Sequence, residues 1–311
     1  MTFGVNIGDL CTNTPWKPRQ ILNKLNLSKD CQIVKFWHSE SSKINPIISA
    51  GQFKQVYLHM NNDEMISNMN FESWIQQNVK PIVQRFRQKE FFLVVGNEVL
   101  APWNFDKYAF KILKALRECF TALKTLGLER VKIVTPLDMT CVQTSYPPSA
   151  GRFKTELTSV LKDIVRFTIN CKSVMCFNIY PFFARQYVSE TFALFGNDTG
   201  YEDQGRKYTN LFEAQYDSIL HAIQRLGIEN SEKLELVCTE TGWPTGGTCG
   251  ASVENMKKYL EGIKNVAERG TPLKPGAKDI IYFELYDESL KNGPEFEKCF
   301  GIFTESGRDK I

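Results

Sequence analysis

The feature that most constrains the fold of this chain is an alternation of two hydrophobic periods. Short β-branched or apolar runs recur near residues 3–7, 32–37, 55–59, 91–95, 131–135, 174–178, 234–239 and 280–285. Each is the length of a buried strand. Between them the apolar spacing shifts to three and four, the period of a helix face. Tyr108, Ile112, Leu116, Cys119, Phe120 and Leu123 predict one helix, and Leu157, Val160, Leu161, Ile164 and Val165 another. Val253, Met256, Tyr259, Leu260, Ile263 and Val266 predict a third, with Gly270 after Arg269 as its stop. Phe71, Trp74, Ile75, Val79 and Ile82 predict a helix bent at Pro81, and a further helix is expected over 210–226. Strands alternating with helices argue for a parallel sheet. Eight such strands close a (β/α)8 TIM barrel, and 311 residues suit one. The competing open, doubly wound sheet lacks support, since no GxGxxG follows the first strand and no GxxxxGK[ST] occurs.

The longest irregular stretch is 184–207, after the sixth strand. A loop of this length is usually functional or carries a small subdomain, and the latter is expected here. No linker or internal repeat is visible, so residues 1–311 are expected to form one (β/α)8 domain. A net charge of +3 argues against nucleic acid and acidic membrane surfaces as partners. No apolar run approaches the length of a membrane span. A monomer is expected. The nine cysteines are odd in number and form no CxxC, and the three histidines are far apart in sequence, so neither a metal nor an organic cofactor is expected.

The first strand pattern begins at Phe3, which leaves no room for a signal peptide in this chain. The tripeptides Asn26-Leu27-Ser28 and Asn197-Asp198-Thr199 are glycosylation sequons. A secreted or cell-wall location with a leader absent from this chain is therefore expected, with the cytosol as the alternative.

Two strand patterns end at a glutamate: Val94-Val95-Gly96-Asn97-Glu98 and Val237-Cys238-Thr239-Glu240-Thr241-Gly242-Trp243-Pro244. Residues at the carboxyl ends of barrel strands are exposed at the mouth rather than hidden in the wall. Strands four and seven point across the same cavity, so Glu98 and Glu240 are expected to face one another. Glycoside cleavage needs two such carboxylates, one to donate a proton and one to attack the sugar carbon. Taken alone, Asn97-Glu98 reads equally as a helix cap with a first-turn acid. Trp243-Pro244 is expected to shape the loop beyond Glu240. The glycine-rich 245–250 reads as a turn, since it lacks the lysine of a phosphate cradle. Cys238 reads as a packed core cysteine, with no histidine partner nearby in sequence.

Further motifs stand in order along the chain. They include Gly4-Val5-Asn6-Ile7-Gly8, Ser145-Tyr146-Pro147-Pro148-Ser149-Ala150-Gly151 with Phe153, and Asn178-Ile179-Tyr180-Pro181-Phe182-Phe183. Gly270-Thr271-Pro272, Lys274-Pro275-Gly276 and Asp287-Glu288 with Lys291 follow. With the two glutamate segments, from Gly4 to Phe303, the set resembles glycoside hydrolase family 17, the β-1,3-glucanases best known from plants. The resemblance implies an endo-acting, retaining enzyme that takes β-1,3-glucan oligo- or polysaccharides, with Glu98 as acid/base and Glu240 as nucleophile. A retaining pair sits roughly 5–5.5 Å apart.

The resemblance also implies that Asn97 binds the sugar 2-hydroxyl, that the Tyr180 hydroxyl approaches the nucleophile, and that Glu288 and Lys291 hydrogen-bond within the site. The bland reading of Glu288 and Lys291 is an i,i+3 surface ion pair. Trp37, Phe183, Tyr286 and Phe303 stand where the family places aromatic platforms for sugar faces. Ile7 and Phe182 depart from the plant pattern, each standing where a tyrosine is common. Residues 282–288 are closer to fungal and bacterial members, which include glucanosyltransferases. A glucanosyltransferase using the same intermediate is the alternative activity. A catalytically silent glucan-binding relative would be expected to lack one of the two carboxylates.

Overall fold

The computed structural model describes residues 2–11, 31–67, 70–196 and 199–310. Both sequons fall wholly or largely outside these residues. The eight expected strands are all present. They are β1 (Thr2–Ile7), β2 (Cys31–Phe36), β3 (Gln55–Met60), β4 (Glu90–Val95), β5 (Lys132–Val134) with its continuation β6 (Pro136–Asp138), β7 (Met175–Asn178), β8 (Leu236–Thr241) and β9 (Asp279–Tyr282).

Every pairing in this sheet is parallel. The sheet runs from β5 through β4, β3, β2, β1, β9, β8 and β7 to β6. Its two ends, β5 and β6, are consecutive pieces of one segment separated only by Thr135. The fifth strand breaks there, lending its first half to β4 and its second half to β7, and so closes the barrel covalently. Proline has no N–H for a ladder bond, and Pro136 begins the second half. Its carbonyl instead accepts the Glu98 N–H at 2.9 Å.

Period-two alternation sorts each strand into two faces. Val34, Phe36, Val56, Leu58, Phe91 and Leu93 join the large core beneath the outer helices. Ile33, Tyr57, Phe92, Val94, Val134, Cys176, Val237 and Ile281 form a separate cluster, the filling of the barrel. Tyr57 and Phe92 stack in parallel within it, ring centres 4.2 Å apart. Two residues further along the same inward faces the chemistry turns polar. Ile33 is followed by Lys35, Tyr57 by His59, Cys176 by Asn178 and Val237 by Thr239, all buried. The barrel is thus plugged by an apolar layer and capped by a polar one at its carboxyl end.

The helices follow the sequence closely. The helix Val253–Arg269 is capped by the Ser252 side chain and stops at Gly270, whose φ of +81° favours glycine. Asn210 caps Leu211–Arg225 through the Glu213 N–H. The bent helix is resolved as Phe71–Asn78 and Lys80–Arg85, broken just before Pro81. Helices that were not anticipated include Ser41–Ala50, which contains Pro46, and Asn62–Ile66, which carries an Asn61/Glu64 capping box. The stretch after the sixth strand does carry a small subdomain. Short helices at Pro181–Ala184 and Glu190–Ala193 lead to an antiparallel hairpin, Tyr201–Asp203 with Arg206–Tyr208. It has its own apolar cluster of Phe192, Tyr208 and Ala214. No disulfide joins the nine cysteines, all of which lie among the described residues. Among these residues no helix is long and apolar enough to cross a membrane.

Candidate active site

β4 and β8 deliver Glu98 and Glu240 to the same end of the barrel. Past Val95 the chain turns sharply. Gly96 has φ +65°, and a Cβ there would sit 2.8 Å from Val99. Glu98 itself lies in the left-handed region at φ +51°, a conformation a non-glycine residue holds only when its surroundings enforce it. Here the Glu98 N–H bonds to the Pro136 carbonyl, and the Glu98 carbonyl accepts from Ala101 N–H and Asn104 Nδ2. Asn62 clamps the preceding residue, accepting the Asn97 N–H at 2.7 Å and donating to its carbonyl at 3.0 Å. Glu98 therefore sits in a braced turn rather than in the first turn of a helix.

On β8 the register with β7 shifts between Cys238 and Glu240. Such a bulge re-aims the side chains beyond it. Glu240 pairs in register with Asn178 on β7, and Asn178 Nδ2 donates to Glu98 Oε1 at 2.8 Å. A single side chain thus bridges the strand of one glutamate and the carboxyl of the other. Thr239 Oγ1 donates to Asn178 Oδ1 at 2.8 Å, which fixes the amide orientation.

The two carboxyl groups live in different electrostatic surroundings. Lys35 Nζ lies 2.7 Å from Glu240 Oε1, and the side chains are 0% and 6% exposed. Tyr180 Oη donates to Glu240 Oε2 at 3.0 Å. Both oxygens of Glu240 are thereby held by donors, the arrangement that favours an anion. Among the described residues Glu98 forms no ion pair of its own. Burial, then the negative charge of Glu240, then that of Asp138, push its carboxyl up to about 8, and the Asn178 hydrogen bond and then the charge of Lys35 oppose them. Glu98 is half-buried and lines the cleft. The two carboxyl groups thus differ in their partners, one gripped by a lysine and a tyrosine and the other by an amide alone.

A cleft of about 1070 Å³ runs over the pair. This exceeds the roughly 300–1,000 Å³ of a small-molecule pocket. Of the residues expected from the sequence, Trp37, Asn97, Glu98, Tyr180, Phe183, Glu240, Glu288 and Lys291 all line it. Phe183 is 47% exposed, and Trp37 lies half-buried with Lys35 Nζ 4.2 Å from its ring centre.

Tyr286 and Phe303 do not line the cleft. Backbone bonds run from Phe303 N to Leu285 O and from Asp287 N to Phe303 O, both 2.9 Å. This ladder turns the two rings against each other, centres 5.8 Å apart, in the core. Phe283 and Phe300 line the cleft instead. The alternative ion pair between Glu288 and Lys291 is not formed. Lys291 Nζ pairs with Glu297 at 3.2 Å and lies 4.3 Å from the Phe283 ring, while Glu288 Oε1 accepts the Leu10 N–H at 3.0 Å.

Trp243 is fully buried and donates Nε1 to the Gly250 carbonyl at 2.8 Å, bracing the loop after Glu240. Cys238 is buried, and burial pushes its thiol up, away from nucleophile chemistry. Phe182 packs edge-on against Trp243. Among the described residues no group of three His, Cys, Asp or Glu is placed to hold a metal ion.

Sequence reasoning missed several participants. Lys35 had a signal, being the one charge in Ile33-Val34-Lys35-Phe36-Trp37 and in phase with Ile33. Asn178 had the same signal on β7. Trp103 and Tyr187, 66% and 80% exposed on the loops after β4 and β7, also line the cleft. Nothing distinguishes them in sequence from other loop aromatics.

A parallel eight-stranded barrel with two glutamates in unlike surroundings at its carboxyl-end mouth, under a long open cleft, has the plan of a glycoside hydrolase. Residues 3–311 match the family model described as "Glycosyl hydrolases family 17". The chain belongs to that family.

It is 33% identical over 244 residues to a "Glucan endo-1,3-beta-glucosidase" of Vitis vinifera, covering 76% of this chain and 70% of the relative. It is 35% identical over 319 residues to "Glucan endo-1,3-beta-glucosidase 7" of Arabidopsis thaliana, covering 97% of this chain but 61% of the relative's length. Among solved structures it resembles CJP38, a β-1,3-glucanase and allergen of Cryptomeria japonica pollen. That match has a TM-score of 0.88 and 27% identity and covers 100% of this chain and 98% of the other. A plant β-glucan endohydrolase superposes with a TM-score of 0.84 at 24% identity over 99% and 98% of the two chains, which speaks to the fold.

Proposed function

We propose that this protein is an endo-β-1,3-glucanase that hydrolyses β-1,3-glucan with retention of anomeric configuration. The observation that carries the reading is the unlike surroundings of the two glutamates. Glu98 keeps its proton up to about 8, whereas Glu240 is gripped by Lys35 and Tyr180. Glu98 protonates the glycosidic oxygen as the bond to the anomeric carbon breaks. A Glu240 oxygen attacks that carbon and forms a glycosyl ester. Glu98, now a carboxylate, takes a proton from water as the water oxygen displaces Glu240. Asn178 holds the acid in place, and Lys35 and Tyr180 orient the nucleophile. Asn97 lies beside the pair, its Oδ1 3.3 Å from Asn178 Nδ2, within reach of the 2-hydroxyl of a bound sugar. Trp37 and Phe183 offer faces to the apolar C–H patches of sugar rings. The relatives' names support the linkage, and the open cleft supports internal attack on a polymer.

The test is incubation with a defined β-1,3-gluco-oligosaccharide, with products resolved by mass and the first-formed anomer read by proton NMR. Shorter products with a β anomer are expected. Products longer than the substrate would establish the glucanosyltransferase activity instead, and an α anomer would refute retention. Glu240→Ala abolishes turnover with either acceptor. Retained activity would mean that Glu240 is not the nucleophile.

A further inference from the structure

Beside the cleft, under its wall, lies a carboxyl group that the mechanism above does not use. Glu284 follows β9 and is 0% exposed. Its backbone is fixed on both sides, with its N–H on the Phe300 carbonyl at 3.3 Å and its carbonyl accepting from Ile302 N–H at 2.9 Å. Among the described residues no donor gives a hydrogen bond to either of its side-chain oxygens. A buried carboxylate without a donor or a cation against it is costly, and a chain keeps such a group by leaving it protonated.

The neighbour in reach is another acid. Seen from the point a Cβ would occupy on Gly8, Glu288 Oε1 is 1.9 Å away and Glu284 Oε2 is 3.1 Å away. The two oxygens therefore bear on one spot and are separated by no more than the sum of those distances. Glycine at position 8 is what leaves them room. Glu288 lines the cleft, and its Oε1 already accepts the Leu10 N–H. The other charged groups around Glu284 are Asp287 and Lys291, and Lys291 is engaged by Glu297. Burial, then the charge of Glu288, push the Glu284 carboxyl well above the usual range, while Lys291 opposes them.

We propose that Glu284 is a neutral carboxylic acid that donates its proton in a hydrogen bond to the Glu288 carboxylate and so orients Glu288 in the cleft wall. Glu284 is a positioning residue, since it reaches the substrate only through Glu288. That consequence for turnover rests on the glucanase reading, whereas the location of the proton does not.

The experiment is a 13C NMR titration of protein labelled at the glutamate carboxyl carbons. In the wild type, one carboxyl carbon other than that of Glu98 keeps its protonated shift through about pH 7. It is absent from Glu284→Gln, while the Glu98 signal is assigned by its loss in Glu98→Gln. If every glutamate except Glu98 is ionised at that pH, the proposal is overturned. Turnover gives the second readout. Glu284→Gln keeps a donor for Glu288 and leaves kcat/KM within about twofold, whereas Glu284→Leu removes it and lowers kcat/KM about tenfold. Leucine in place of a buried acid does not threaten the fold, and unchanged circular dichroism checks this. Equal losses in both variants would overturn the orienting role. The titration needs no turnover, so its outcome stands whether or not Glu240 proves to be the nucleophile.

Discussion

The contact between Lys35 and Glu240 makes the sharpest prediction. Lys35→Met keeps most of the stem that packs near Trp37 and removes only the charge. At 2.7 Å and an effective dielectric constant of ~20, the two charges attract by ~6 kcal/mol, most of which offsets the desolvation of both ions. Losing one partner leaves the other's desolvation uncompensated, a cost of ~3–5 kcal/mol.

Urea unfolding at about pH 7 measures the gap between wild type and Lys35→Met. Turnover falls by at least ~100-fold, because Glu240 loses the group that fixes its Oε1 at the cleft. A gap below ~1 kcal/mol would show that water screens this pair as it does a surface pair, and the reasoning would fail.

Four further outcomes are expected. Glu98 titrates at about 8, so kcat/KM declines as pH rises through that value. Glu240→Gln removes a charge that raises Glu98, and carbon NMR should find Glu98 ionising at lower pH; an unchanged or raised value would contradict the coupling. Asn178→Ala removes the hydrogen bond that lowers Glu98. The alkaline limb of the pH–rate profile then moves upward while kcat drops about tenfold or more, and a downward move would reverse the assigned sign. Trp103→Ala should raise KM for long gluco-oligosaccharides by roughly tenfold while leaving an aryl glucoside nearly unaffected. Equal effects on both would place Trp103 outside substrate binding.

How legible the fold was depended on where hydrophobicity alone decides. Gly270 and Asn210 announced helix ends because each satisfies a local backbone need. Ser41–Ala50 was missed because Ile44, Ile47 and Ile48 are few apolar marks and Pro46 reads as a breaker. The second half of the fifth strand was invisible because Pro136–Asp138 lies beyond the apolar run at 131–135 and begins with a proline. Glu98 and Glu240 were legible as strand ends, but Tyr286 and Phe303 show the limit of that rule. Tyr286 follows the strand-like run at 280–285, yet the ladder between it and Phe303 turned both rings into the core.

By itself the sequence determined the strand-and-helix alternation, the two glutamate-terminated strands and the family motifs. All three are written in local periodicity or contiguous residues. Only the tertiary structure decided which polar groups meet. Lys35 and Glu240 are 205 positions apart, and Tyr180 and Glu240 are 60 apart. Barrel closure, strand register and the bulge before Glu240 brought them together. Those geometric relations set whether a carboxyl finds a cation or another acid, and hence which glutamate keeps its proton.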